Sequence, residues 1–158
     1  MNINVISVGK VKEDYFRAGL AEYEKRLSRF CRFKSIVIPD KSIPENPSEK
    51  EKEAILDSEG KLIMAKIGKN DKVIAMCVEG KNMASEEFAY KMKRYLEESG
   101  NLSFIIGGSL GLSDEVKNRA DLCLSLGKMT FPHRIARLVL EEQIFRAFKI
   151  NSNETYHK

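Results

Sequence analysis

Apolar residues along this chain follow two periods in turn: short β-branched runs, and stripes recurring every three or four positions. "INVISVG" (Ile3 to Gly9) is a run of the first kind that ends in glycine, as a buried strand does. Phe16, Leu20, Tyr23, Leu27 and Phe30 then form a helical stripe. "FKSIVIPD" (Phe33 to Asp40) predicts a second strand, stopped by Pro39. "DKSIPENPSEKEKEA" is polar and proline-rich and predicts an exposed loop, within which Ser48 and Glu51 form a capping box opening a helix that runs to about Ile67. "DKVIAMCVEG" supplies a third strand, and Ser85 can cap a helix carrying Phe88, Met92, Tyr95 and Leu96 on one face. "LSFIIGG" is a fourth strand. Ser113-Asp114-Glu115 opens a short helix with acids at the positive end of its dipole. "DLCLSLG" is a fifth strand, and a long helix from Pro132 to about Phe148 closes the order.

Strands alternating with helices predict an α/β fold: a mostly parallel sheet with helices on both faces. Such sheets gather ligands in the loops at the carboxyl ends of their strands. The informative loops are those after Val78, Ile106 and Leu126, which carry Glu79-Gly80, Gly107-Gly108 with Gly111, and Gly127.

Composition narrows the class. The 158 residues are the size of one domain, spanning 1–158. At 42% hydrophobic and 32% charged, the chain is globular in composition rather than disordered. No apolar run approaches the ~20 residues a membrane helix requires. The start, "MNINVISVGK", lacks a basic segment and a small-residue cleavage site, so no signal peptide is expected. Cys31, Cys77 and Cys123 are far apart and odd in number, which predicts neither a disulfide framework nor a metal site. A cytoplasmic protein is the expectation. The net charge of +4 permits an acidic partner such as RNA, although from the charge alone a solvated basic face is the better account.

Two stretches carry candidate chemistry. "FIIGGSLGLSDEV" places glycines between a strand and a helix, where backbone can approach a ligand. It matches neither the dinucleotide fingerprint nor the P-loop, so a structural turn and a ligand loop both remain open. "LGKMTFPH" leads into the last helix, with Pro132 suited to its first turn and Thr130 or Phe131 at the cap. His133 falls in that first turn, where the helix dipole disfavours its protonated form. A neutral imidazole there can act as a base or simply hydrogen-bond. The helix is apolar on two sides, with Ile135, Leu138 and Val139 on one and Leu140, Ile144, Ala147 and Phe148 on another. Burial within its own domain and burial against a second subunit both fit. Glu141 can pair with Arg137, while Arg146 is expected to be freer to meet a phosphate. The chain closes on Tyr156, His157 and Lys158, which can stack on a base, move a proton and meet a phosphate.

"FIIGGSLGL", "LSLGKMTFPHRIARLVLEEQIFRAFKI" and the closing "YHK", with the opening "VISVGK" and "EYEKRL", resemble the RlmH family of ribosomal RNA methyltransferases, within the SPOUT class. The resemblance spans the whole chain. It implies a C-terminal trefoil knot and S-adenosyl-L-methionine as cofactor, held largely by backbone. The family's binding positions fall on Met76, Gly107, Leu126, Gly127, Lys128, Met129, Thr130 and Phe131. It further implies a homodimer in which the partner's tail completes each site. The implied substrate is a pseudouridine in the helix 69 loop of large-subunit (23S) rRNA, methylated at N3 within the assembled ribosome. His133, Arg146, Tyr156, His157 and Lys158 become the candidates for proton transfer, base positioning and charge contacts. No metal and no membrane are expected. Leu110 and Gly127 depart from the family pattern, where a polar or small residue and a serine are common. A SPOUT enzyme acting on tRNA and a non-catalytic ribosome-binding factor are the alternatives.

Overall fold

The computed structural model describes residues 1–156, so the expectations for His157 and Lys158 lie outside the described residues. Five strands and five helices alternate: β1 (Asn2–Val8), α1 (Asp14–Leu27), β2 (Arg32–Ile38), α2 (Glu49–Met64), β3 (Lys72–Asn82), α3 (Ser85–Ser99), β4 (Asn101–Ile106), α4 (Asp114–Arg119), β5 (Leu122–Ser125) and α5 (His133–Asn151). The strands form one parallel sheet in the order β2-β1-β4-β3-β5. From β1 the chain moves to one side, and from β4 to the other. The carboxyl ends of these neighbours therefore mark the switch point where such sheets take ligands.

Alternation within each strand divides the core in two. Ile3 and Val5 of β1, Ile74 of β3, and Leu102, Phe104 and Ile106 of β4 face α1, α3 and α5. Ile6 and Val8 of β1, Val73, Ala75 and Cys77 of β3, and Ile105 of β4 face α2 and α4. Both faces are covered, which is why these strands read as nearly unbroken apolar runs. Helix α5 lies against both α1 and α3. Leu140, Ile144, Ala147 and Phe148 enter its own domain's core, while Val139 stays 38% exposed. One apolar side of α5 is thus buried within the chain. The other, with Ile135 and Leu138, is only half covered.

Local signals hold in part. The Ser48–Glu51 capping box forms in both directions, and Ser113 caps α4 through the Val116 amide. At α3 the cap is Ala84, not Ser85. The Glu87 carboxylate takes the Ala84 N–H, and the Ser85 hydroxyl donates instead to Gln143 on α5. At α5 the N-cap is Pro132 rather than Thr130 or Phe131; its carbonyl starts the helix by accepting from Ile135 and Ala136. Phe30 lies past the end of α1 and stacks on Phe148 at 5.3 Å. Helix α2 stops at Met64, short of Ile67.

Strand β3 also continues past Gly80 to Asn82, so the expected Glu79-Gly80 loop is part of a strand. Its pairing with β5 shifts there: Leu124 faces Met76 and then Lys81, leaving Cys77–Gly80 as a bulge. Gly80 makes the bulge possible, because a Cβ at that position would lie 2.7 Å from the Cys123 carbonyl.

Candidate cofactor cleft

At the carboxyl ends of β3, β4 and β5 the backbone turns through three glycine-bearing segments around one open cleft. The first is the β3 bulge. The second is the turn after β4, where the Gly111 amide donates to the Gly108 carbonyl at 3.1 Å. Gly111 has φ +82°, and a Cβ on Gly107 would meet the Gly111 carbonyl oxygen at 2.4 Å, so the turn can close only on glycine. Behind it stands Glu59, a buried carboxylate that accepts the Lys41 amide at 3.3 Å. Burial raises its pKa, and no periodicity in the sequence pointed to it.

The third segment joins β5 to α5. Ser125 shapes its start: the hydroxyl donates to the Gly127 carbonyl at 2.8 Å and accepts the Gly127 amide at 3.1 Å. Gly127 has φ +137°, a conformation that a residue with a side chain, such as serine, would adopt with strain. Leu110, the other departure, is half-buried and does not line the cleft.

The cleft encloses about 810 Å³ of empty space including its open mouth. Of the predicted binding residues, Met76, Gly107, Leu126, Gly127, Met129, Thr130 and Phe131 line it, and His133 joins them from α5. Lys128 is exposed and is not among the lining residues. The imidazole of His133 packs on Gly9 at the end of β1, where a Cβ would come within 3.2 Å of Nε2. That nitrogen is buried and has no hydrogen-bond partner among the described residues. Sequence reading missed Glu79 and Lys117, an ion pair at 2.6 Å on the lining. It also missed the Cys77 thiol, which burial beside Cys123 pushes up to about 12, so it stays protonated.

The remaining candidates lie elsewhere. Arg146 is not free for a phosphate: Glu142, one turn earlier, binds it, and its guanidinium lies 4.8 Å over the Tyr156 ring. Tyr156 packs edge-on against Phe145 at 5.0 Å and donates to Glu142 at 3.2 Å. Glu142 is nine positions beyond His133, so at about 1.5 Å per residue the two lie about 13 Å apart along α5. The chain's own Tyr156 and Arg146 are therefore removed from its own cleft. Arg134 at the helix start is tied to Glu13 at 2.6 Å. Arg137 is buried and held by Glu141 at 2.9 Å and Glu24 at 3.1 Å. Glu141 is fully buried; desolvation pushes its pKa up to about 7 against the opposing pull of Arg137.

These features suit a nucleoside-bearing ligand. Met76, Ile106, Leu112, Leu124 and Leu126 give apolar walls, and the glycine turns bring backbone close. The fold and cleft define an α/β protein with an open cleft at the carboxyl edge of a parallel sheet. The model of a family described as "Predicted SPOUT methyltransferase" matches residues 1–157. Proteins named "Ribosomal RNA large subunit methyltransferase H" from Streptococcus thermophilus and Clostridioides difficile are each 52% identical over 159 aligned positions, covering 100% of both chains. "Ribosomal RNA large subunit methyltransferase H 1" of Clostridium perfringens is 52% identical over 163 positions, again covering all of both chains. The chain belongs to the SPOUT methyltransferase family, as its resemblance to the RlmH group implied.

Among the described residues no helix is long and apolar enough to cross a membrane, and no three His, Cys, Asp or Glu side chains stand together as a metal site.

Proposed function

We propose that this protein methylates large-subunit ribosomal RNA with S-adenosyl-L-methionine as donor. The target on this reading is N3 of a pseudouridine in the helix 69 loop of 23S rRNA, reached in the assembled cytoplasmic ribosome. The carrying observation is the convergence of three glycine-bearing segments and His133 on one cleft, in a chain matched end to end by ribosomal RNA methyltransferases.

When bound, the cofactor supplies an activated methyl group on a sulfonium. The residues left to this chain are those that hold, orient and move a proton. The segment 126–131, together with Gly107 and Met76, forms the cradle. The backbone turns let amides and carbonyls, rather than long side chains, approach the nucleoside. Pseudouridine N3 carries a proton that must leave before nitrogen attacks. His133 stands on the lining and is the candidate to take that proton; its unpartnered Nε2 is buried against Gly9, so the transfer uses the other ring nitrogen or follows a turn of the ring toward the substrate. Alignment of two bound reactants contributes several kcal/mol, of the order of ~7–11 in favourable systems.

The whole span 1–158 acts on this reading as one knotted domain within a homodimer. Its own Tyr156 is held on the far part of α5, which supports a second copy as the source of the tail at each cleft. Tyr156, His157 and Lys158 of the tail then position the base and balance charge, while Arg146 acts through its pair with Glu142 rather than as a free cation.

Transfer of labelled methyl from S-adenosylmethionine tests the proposal, with intact ribosomes, free large subunits and tRNA as acceptors. Label on N3 of a helix 69 pseudouridine in ribosomes is the expected result. Label on tRNA would favour the tRNA enzyme. Ribosome binding without any transfer would favour a non-catalytic factor. A pH–rate profile unaltered by His133→Asn in single-turnover conditions would remove that residue from the base role.

A further inference from the structure

We infer that Glu79 and Lys117 form a charge-paired clasp for the zwitterionic amino-acid head of the methyl donor, an inference that rests on the cofactor proposed above. Among the described residues lining the cleft, these two are the only ones with formal charges apart from the titratable His133. They come from separate elements, and each is delivered by a specific device. Glu79 rides the β3 bulge, where Cys77–Gly80 leave the β5 ladder because Leu124 faces both Met76 and Lys81. A regular strand would hold Glu79 in the alternation of Ala75 and Cys77, on the sheet face that α4 covers; the bulge frees it from the β5 ladder at that edge. Lys117 extends from α4, which is fixed to the sheet by the fully buried Val116 and capped by Ser113.

Their ion pair spans 2.6 Å, with the Glu79 side chain 62% and the Lys117 side chain 32% exposed. Exposed pairs of this kind contribute little to stability, so a ligand's own charges can replace one partner by the other at small cost. A free α-amino acid group carries one carboxylate and one ammonium a few bonds apart. Lys117 can donate to the first and Glu79 can accept from the second, with each protein charge remaining paired. The apolar walls beside them suit the remaining nucleoside and offer that head no other charged partner. Donor and demethylated product share the same head, so the clasp binds both and distinguishes neither. What it rejects is a thionucleoside lacking the head.

Calorimetric titration of the full chain with S-adenosylmethionine, S-adenosylhomocysteine and 5′-methylthioadenosine tests this, in the wild type, Glu79→Gln, Lys117→Met and the swapped double variant Glu79→Lys/Lys117→Glu. Each single change is expected to weaken the first two ligands roughly tenfold, the scale of one charge-assisted hydrogen bond at a half-exposed rim. Binding of 5′-methylthioadenosine is expected to stay within about twofold, since it has no head to lose. The swap is expected to recover part of the loss. Equal weakening of all three ligands would make the pair a structural rim contact and overturn the clasp, as would unchanged affinities throughout. A wild type that binds none of the three would overturn the cofactor reading itself, and the clasp with it.

Discussion

Replacing Gly107 by alanine tests the geometry of the cleft at its tightest point. The new Cβ would lie 2.4 Å from the Gly111 carbonyl oxygen and 2.7 Å from its carbon, where real contacts essentially never fall below 3.0 Å. Both opposing atoms are backbone, so no rotamer change relieves the overlap. The turn must open by more than half an ångström, and its Gly111–Gly108 hydrogen bond must stretch with it. Overpacking of this kind costs roughly 1–3 kcal/mol, and a backbone-on-backbone clash belongs at the upper end. Alanine recovers part of that by restricting the unfolded chain, roughly 0.4–1 kcal/mol. A net loss of about 2 kcal/mol corresponds to a fall of roughly 4–8 °C in Tm for a domain of this size. Gly108→Ala is the matched control one residue away. Its Cβ would meet the buried Val8 side chain at 3.1 Å, a milder contact that a shift of a few tenths of an ångström relieves. Differential scanning calorimetry of both variants, with titration of S-adenosylhomocysteine, is the assay. Gly107→Ala should melt lower and bind more weakly; Gly108→Ala should lie close to wild type. Equal effects, or the reverse order, would show that the turn is not closed as described.

Glu141 makes stability depend on pH. Its carboxyl is pushed from the usual 4.5 to about 7 in the folded chain, so the native state holds the proton more tightly than the unfolded one. Stability from this group is complete below pH 4.5 and is lost as pH rises to about 7, by up to the order of 3 kcal/mol. Subtracting the pH–stability curve of Glu141→Gln from that of wild type should give that slope; a flat difference would remove Glu141 as its source. Tyr156→Phe keeps the ring on Phe145 but removes the hydroxyl bonded to Glu142. Its expected cost is about 1 kcal/mol, or roughly 2–4 °C in Tm, and an unshifted melt would mean the tail does not dock on α5.

The layout was legible because burial on both faces leaves a strong mark. Ile3 to Val8, Val73 to Cys77 and Leu102 to Ile106 had to be apolar, and they were read as strands. What stayed hidden depends on partners distant in sequence. The β3 bulge arises from where Leu124 pairs, and the apolar run continues into it through Cys77 and Val78. Ser85 looked like a cap because the rule is local; in the fold Gln143 offers its hydroxyl another partner. Arg146 was misread although its signal was present, since Glu142 stands one turn before it. At the site, the glycines and His133 were visible as residue types at strand ends. The Glu79–Lys117 pair was not, because nothing in the spacing of positions 79 and 117 brings them together. Only the adjacency of α4 to the β3 bulge does.

The placement of α5 bears on how the protein is made. Strand β1 lies inside the sheet, yet one of its neighbours, β4, begins at Asn101. The apolar face that receives Leu140, Ile144 and Phe148 stays open until those residues emerge from the ribosome. At about 5–20 residues per second, synthesis leaves that face uncovered for several seconds or more. A chain cut short within α5 would thus carry a finished cofactor edge on an unclosed core. Such a product is expected to aggregate or meet a chaperone rather than act as a weaker enzyme. Quality control of this fold is thereby concentrated in its final helix.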